Sequence, residues 1–370
     1  MDLRQPRVPG RLILVVLALA GTASAQVAAS DGDLRQYLVD QAFRRAALER
    51  SLATRKTQYA RERLQRYASG DAVDWDLRPE WNPPAAPLGE TSHTLVLSDR
   101  PRRLDRATLT RLGADAFFRY PAQLAPYLPE AGVDHAVKVV MPDGVGWALT
   151  CASCHTRRVG GKELIGAGSS LDLGVLMNRE APNAPLAQAR AAWGPGRVDV
   201  SSDDGDDPQR IPDLRPLRFT SHLQHGAAVI QHDEVALAIR IETLIITAHG
   251  GAIRPPRQVA LGLALYIWSL ADTLPPVAAP SAVFTQRCAG CHRPPTFSGP
   301  PIDAALAHAD PAHALRSERS HGVYRVPSLR GVGSRGALLH DGSAADLRAL
   351  LARFPGRFDR NALIAYLQGL

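Results

Sequence analysis

The sequence predicts a mostly α-helical protein in which two similar domains follow a helical N-terminal extension. Two observations predict the paired domains: a short cysteine motif occurs twice, and the same further elements follow it in the same order each time. A third observation predicts the extension. The stretch from Asp33 to Tyr67 is rich in charge and has apolar residues at helical spacing, which favours one long helix. With 370 residues, the chain is long enough for two or three domains.

The N-terminus has the pattern of a secretory signal peptide, which we expect to occupy residues 1–25. Three arginines precede an apolar stretch from Leu12 to Ala20, and Ala23-Ser24-Ala25 is typical of a cleavage site. The apolar stretch is too short to span a membrane, so we predict no transmembrane anchor after cleavage. An uncleaved anchor is the alternative. The mature protein is therefore expected in the periplasm, or otherwise exported.

The cysteine motif is C-x-x-C-H, the attachment signature of c-type haem. In such a site the two cysteines form thioethers with the haem, and the histidine binds the iron. We therefore predict two covalently bound haem c groups. The alternative is one zinc site built from both C-x-x-C pairs, but such pairs usually lie within about 15–20 residues of each other. Zinc would also leave both histidines unexplained. The motifs use every cysteine in the chain and comprise Cys151, Cys154 and His155, and Cys288, Cys291 and His292.

The elements that accompany each motif predict two cytochrome-c-like haem domains in pseudo-repeat. An aromatic residue lies four positions before the first cysteine of each copy, a spacing that favours a helix ending at the haem. A P-x-L-R motif, a histidine thirteen residues after its proline, and a closing helix follow in both copies. The equivalent residues are Trp147 and Phe284, Pro212 and Pro327, Arg215 and Arg330, His225 and His340, and Tyr266 and Tyr366.

The domain boundaries follow from this repeat and from a proline-rich segment without periodic pattern. We predict an N-terminal helical extension over residues 26–138 and the first haem domain over residues 139–271. Residues 272–281 are the predicted linker, and residues 282–370 the second haem domain. The first copy has the longer separation between C-x-x-C-H and P-x-L-R, so it must contain a large additional loop.

These motifs, with V-P-S-L-R and then L-H-D-G-S before the last helix, resemble the bacterial di-haem cytochrome c peroxidase superfamily. The segment from Trp193 to Asp199 is similar to one in its rubber-oxygenase-like branch. The resemblance implies a periplasmic electron-transfer protein, or alternatively an oxidoreductase that reduces hydrogen peroxide or activates oxygen at an open haem. It also implies propionate or supporting contacts for His225 and His340. The tryptophan and glutamate motifs of the peroxidases are missing, and Phe354 replaces a ligand that family members usually have.

Five further residues are candidates around the haems. Met177 and His249 are candidate sixth ligands, with ordinary buried or surface roles as the alternatives. Arg215 and Arg330 are candidates for binding haem propionates, because arginine pairs with carboxylates through two hydrogen bonds; a structural salt bridge is the alternative. Glu180 is a candidate acid–base group if the protein is an enzyme, and a surface residue otherwise.

Charge and composition limit the partners. The net charge is +7, but no basic run is interleaved with aromatic residues, so we predict no binding of nucleic acid. A positive surface suits an acidic redox partner, and we expect a redox donor protein or a quinol-linked electron donor. The acidic run from Ser201 to Asp207 is a candidate calcium site, with a solvated loop as the alternative.

Overall fold

The computed structural model describes residues 27–69, 104–125, 128, 133–141, 144–178, 187–199, 207–249, 254–316 and 320–370. Helices make up 46% of the structure, and its strands are short. The predicted signal peptide, Glu180 and residues 201–206 of the acidic run lie outside the described residues. In the described part of the chain, no helix is both long enough and apolar enough to cross a membrane.

The N-terminal segment forms several helices, so the prediction of one long helix from Asp33 to Tyr67 is wrong. Asp40 has an extended backbone, which ends the first helix, and its carboxylate caps the second by accepting a hydrogen bond from the Phe43 amide. A second break follows Arg50. Apolar spacing continues through both breaks, which is why periodicity missed them. The helices are α1 (Asp31–Val39), α2 (Gln41–Arg50), α3 (Gln58–Ser69) and α4 (Arg106–Arg119).

We call residues 139–271 the first repeat and residues 282–370 the second repeat. Ahead of the first motif, β1 and β2 pair antiparallel with β3, in the order β1-β3-β2. Trp147 lies in β3, so the helix predicted before this motif is wrong. It pairs with Lys138 of β2, whose neighbours Val137 and Val139 are β-branched residues that favour a strand. These elements are β1 (Gln123–Leu124), β2 (Val137–Met141), β3 (Gly144–Leu149) and α5 (Cys151–His155).

The described remainder of the first repeat contains short hairpins, two short helices and two long apolar helices. The hairpin strands are β4 (Thr156–Val159), β5 (Lys162–Ile165), β6 (Arg197–Val198), β7 (Gln209–Arg210), β8 (His222–Leu223) and β9 (Val229–Ile230). The helices are α6 (Leu173–Asn178), α7 (Ala187–Ala191), α8 (Glu234–Ala248) and α9 (Arg257–Ser269). The closing helix predicted around Tyr266 is confirmed as α9.

The second repeat has its own core of buried apolar residues. Phe284 lies in the helix that leads to the second motif, which confirms the helix predicted there, and the closing helix around Tyr366 is also confirmed. Phe284, Phe297 and Leu363 form the centre of the core. The elements are α10 (Ala282–Arg287), β10 (Gly299–Asp303), α11 (Ala312–Leu315), β11 (Val323–Val326), α12 (Leu347–Ala352) and α13 (Arg360–Gln368).

The N-terminal helices and the closing helices of the first repeat share one apolar core. Tyr37, Leu48 and Phe117 lie in the same cluster of buried residues as Ile239 and Leu263. Helices α4 and α9 make the most extensive contact between two elements. The described N-terminal helices are therefore joined to the first repeat by a continuous core.

The two repeats dock through reciprocal backbone hydrogen bonds. The Arg210 amide donates to the His340 carbonyl at 2.7 Å, and the Arg325 amide donates to the His225 carbonyl at 2.9 Å. Each arginine lies two residues before the proline of its own P-x-L-R motif. The rings of His225 and His340 lie 6.3 Å apart, centroid to centroid. Equivalent residues thus make equivalent contacts, as at a two-fold axis, and we call this contact between the repeats the seam.

Candidate haem attachment sites

The first motif forms the short helix α5, which begins at Cys151. Thr150 caps this helix by accepting a hydrogen bond from the Ser153 amide, while the Ser153 hydroxyl accepts one from the Thr150 amide. The cap explains why the helix begins at the first cysteine. The Nδ1 atom of His155 donates to the carbonyl of Pro212 at 3.0 Å.

The second motif follows α10 and forms a turn. The amide of His292 donates to the Cys288 carbonyl at 2.8 Å, so one helical turn joins the first cysteine to the histidine. The Nδ1 atom of His292 lies 3.1 Å from the Phe297 carbonyl, and the backbone of Pro327 also lies beside the imidazole. Pro327 is the proline of the second P-x-L-R motif, equivalent to Pro212.

The two sites therefore share a device that the sequence repeat alone does not reveal. In each, the histidine of C-x-x-C-H is held at Nδ1 by a backbone carbonyl, and the backbone of the P-x-L-R proline lies beside the imidazole. A metal-binding histidine commonly donates its other ring N–H in this way, which fixes the tautomer and leaves Nε2 unprotonated. Two thiols and such an imidazole form the donor set that haem c requires, so the residues present fit the group.

The electrostatics keep both histidines and the first cysteine of each motif uncharged at neutral pH. Burial lowers the pKa of both His155 and His292 to about 4, although the carbonyl hydrogen bonds oppose this shift. Burial raises the pKa of Cys151 to about 12 and that of Cys288 to about 11. Redox-active dithiols usually have a lowered thiol pKa, so these cysteines lack the environment of a thiol–disulfide centre.

The zinc alternative finds no support in the arrangement of the cysteines. All four are described, and all four are free thiols. Within the described ranges, no three His, Cys, Asp or Glu side chains are grouped so as to hold a metal ion. The two C-x-x-C pairs therefore do not converge on one tetrahedral centre.

The two candidate sixth ligands lie on different helices. Met177 lies in α6, and Leu173 and Leu176 of this helix belong to the apolar cluster that also includes Cys154. His249 lies at the C-terminal end of α8, buried, with its Nε2 atom 3.2 Å from the Pro121 carbonyl. The Nε2 atom of His249 is thus already engaged by the backbone.

The two repeated arginines have different surroundings. Arg215 makes a bidentate ion pair with Asp213 at 3.0 and 2.5 Å, and also donates to the Ser334 hydroxyl at 2.9 Å. It thereby forms the structural salt bridge that is the alternative to propionate binding. Arg330 stacks 4.5 Å from the ring centroid of Phe219 and donates to a linker carbonyl.

The structure also draws attention to three residues that the sequence analysis missed. Arg210 and Arg325 extend the repeated motif to R-x-P-x-L-R, a signal that was present in both copies. His308 is exposed and its ring lies 4.2 Å from that of Phe354, which occupies the ligand position of the resembled family. Nothing in the sequence around His308 indicates this contact.

The described end of the acidic run is engaged by a histidine. The carboxylate of Asp207 lies 2.6 Å from Nδ1 of His313, a buried residue of the second repeat. This pair adds a side-chain contact between the repeats beside the seam.

A comparison of the chain with protein-family models, curated proteins and solved structures found no match. The function of the two sites therefore has to be inferred from their own residues and geometry.

Proposed function

We propose that the chain is an exported di-haem c-type cytochrome that transfers electrons between two haem sites, similar to the di-haem cytochrome c peroxidase superfamily. One observation carries the proposal: in both motifs a backbone carbonyl holds the histidine at Nδ1, with the P-x-L-R proline contributing in each. Bound haem iron supplies one-electron chemistry between its ferrous and ferric states. A redox donor protein or a quinol-linked donor would supply the electrons, and residues 201–207 remain the proposed calcium site.

The residues of each motif have distinct tasks in this proposal. The cysteine pairs would hold the group covalently, and His155 and His292 would bind its iron. The carbonyls of Pro212 and Phe297 orient the imidazoles and increase their basicity, since the shared proton carries part of the charge. A more basic axial ligand favours the ferric state and tunes the potential.

The seam keeps the two sites in a fixed relation. The proline of each P-x-L-R motif contacts the C-x-x-C-H histidine of the same repeat. The arginine two residues before that proline bonds to the other repeat. A shift of one repeat against the other would therefore disturb both histidine contacts. Such a coupled arrangement suits transfer of electrons between two fixed centres.

A second function is favoured by the surroundings of Phe354. The second repeat contains no methionine, and Phe354, which packs against the same core as Cys288, has no atom that can bind iron. A haem lacking a sixth ligand binds peroxide or oxygen. The alternative is therefore an oxidoreductase that reduces hydrogen peroxide or activates oxygen at the second site.

The proposal predicts two covalent haem additions in the intact mass of the chain after expression with haem c maturation machinery. The double variant Cys288→Ala/Cys291→Ala should carry one addition, because the first motif does not depend on these thiols. Zero additions, or bound zinc in their place, would contradict the proposal.

Spectra and turnover of the holoprotein separate the two functions. We expect ferric iron that is predominantly low-spin, and weak or absent peroxide reduction with a reduced small cytochrome as donor. A strong high-spin signal together with rapid peroxide turnover would instead establish the oxidoreductase. Met coordination of the second haem is not expected in either case, since no methionine is present in that repeat.

A further inference from the structure

Five arginines converge where the repeats meet, and they are accompanied by one carboxylate. Asp213 pairs with Arg215 and lies 3.6 Å from Nε of Arg335. Both arginine side chains are 5% exposed, and that of Asp213 is 3% exposed. The five are Arg157, Arg210 and Arg215 from the first repeat, and Arg325 and Arg335 from the second.

Three of these guanidinium groups have no acidic partner among the described residues: those of Arg157, Arg210 and Arg325. Arg157 donates to the Ser334 carbonyl and Arg210 to the Leu339 and Ile211 carbonyls. The Nε atoms of Arg157, Arg325 and Arg335 are buried without a hydrogen-bond partner. Burial and repulsion between neighbouring guanidinium groups lower the pKa of Arg210 and Arg325 to about 10.

Positive charge that is largely buried is costly unless an anion offsets it. The five guanidinium groups and the carboxylate of Asp213 leave an excess of positive charge in this cluster. Each haem c carries a pair of propionate carboxylates, so two haems would bring anions that can offset the excess.

The arginines lie close in the chain to the residues of both attachment motifs. Arg157 is two residues after His155, while Arg210 and Arg325 are each two residues before the proline that contacts a motif histidine. The amides of Arg210 and Arg325 each bond to the opposite repeat. Arginines of both repeats are thus joined at the seam, next to the segments that contact the motif histidines.

We propose that Arg157, Arg210, Arg325 and Arg335, which we call the seam arginines, form one cradle for the propionates of both haems. This role rests on the proposed function. It assigns propionate binding to residues other than Arg215 and Arg330, whose guanidinium groups are held by Asp213 and by Phe219. Charge-assisted, bidentate hydrogen bonds to carboxylates are what arginine makes best, and the orphaned Nε atoms are donors for them.

The test compares variants of the holoprotein by resonance Raman spectroscopy and redox titration. Arg325→Gln should shift the propionate-bending bands and lower a midpoint potential, because loss of a nearby cation favours the ferric state. We expect at least a tenfold change in the electron-transfer equilibrium, about 59 mV for one electron. Arg325→Lys should shift the same bands but largely keep the potential, since it retains charge without the planar fork. The control is Arg348→Gln, an exposed position in α12, which should change neither.

The outcomes separate this inference from the proposed function. A chain without haem refutes the function. Two haems with unchanged propionate bands in the Arg325 variants overturn the cradle and leave the function standing. A lowered potential with unchanged propionate bands would indicate that the seam arginines bind a free inorganic anion. This outcome would also overturn the inference. If Arg325→Gln fails to mature, Arg325→Lys and Arg210→Gln decide by the same bands.

Discussion

A single difference between the two P-x-L-R motifs explains why the repeated arginines diverge. The x residue is Asp213 in the first copy and Ser328 in the second. Both side chains accept a hydrogen bond from the amide of the motif's arginine, at 3.0 and 3.2 Å. Only the carboxylate can also bind a guanidinium by two hydrogen bonds, so Arg215 turns towards Asp213 and Arg330 lies elsewhere.

The Asp213 carboxylate is predicted to stabilise the fold. Asp213→Asn should lower the free energy of unfolding by about 3–5 kcal/mol, because it leaves Arg215 and Arg335 buried beside a neutral amide. Chemical denaturation monitored by circular dichroism measures the loss. The matched control is Asp272→Asn, which removes an exposed pair with Arg218 and should cost less than about 1 kcal/mol. Equal losses in the two variants would contradict this reasoning.

For single residues, the sequence predicts a chemistry but not the contacts of each side chain. The cysteines and histidines of both motifs are candidates for haem attachment because that attachment demands a fixed spacing. The pairing of Asp213 with Arg335 joins residues far apart in the chain, and no local pattern encodes it. The sequence indicates the seam arginines only in part. The motif R-x-P-x-L-R occurs in both copies, but the burial of its arginines depends on how the repeats dock.

Among the helices, α4 and α9 approach each other most closely at a pair of glycines. A Cβ atom on Gly113 would lie 1.8 Å from the carbonyl oxygen of Gly262, and one on Gly262 would lie 2.7 Å from the Leu109 carbonyl. The obstructing atoms are backbone, so a side chain could be accommodated only by moving one helix. Glycine is required here for close approach, despite its poor helix propensity.

An alanine at this crossing tests how tightly the N-terminal segment is joined to the first repeat. Gly113→Ala should destabilise the chain by about 1–3 kcal/mol, because the overlap outweighs alanine's better propensity. Gly32→Ala in α1 is the control: its Cβ would meet only the Ser30 hydroxyl at 3.4 Å, so a gain of about 0.5 kcal/mol is expected. Thermal unfolding of both variants provides the comparison. A neutral Gly113→Ala would mean that the two helices do not cross as described.

Element type is predicted well from the sequence where tertiary contacts agree with local preference. The closing helices α9 and α13 follow from their apolar spacing, and α10 from the position of Phe284. Asp40 shows the limit: its carboxylate begins a new helix within a stretch whose periodicity favours a continuous one. Trp147 shows another, since strand pairing outweighs a single aromatic–cysteine spacing.

A cluster of buried polar side chains joins the N-terminal helices to α8. Glu242 and Arg254 are fully buried and form an ion pair. The Tyr37 hydroxyl donates to the Glu242 carboxylate, and Arg254 lies 4.3 Å from the ring centroid of Tyr67. Burial, followed by the Glu242 charge, raises the pKa of both tyrosines well above 10.

These tyrosines set an alkaline limit on the fold. Their phenols remain neutral in the folded protein but ionise near pH 10 in the unfolded chain, so their contribution to stability is complete below pH 10 and declines as the pH rises above it. Denaturation from pH 8 to pH 12, with absorbance reporting phenolate formation, should show the two ionising only on unfolding. Tyr37→Phe should make the decline less steep. Early ionisation of both in the folded state would contradict their burial.

The reciprocal contacts at the seam resemble those of a symmetric dimer. A contact in which residue i of one copy meets residue j of the other, and j meets i, is what a symmetric homodimer forms automatically. The crossed bonds of Arg210 with His340 and of Arg325 with His225 have this character within one chain. They are the pattern expected when two copies of one unit are fused and pair with each other. The pairing does not require identical side chains, and the copies differ at Asp213 and Ser328.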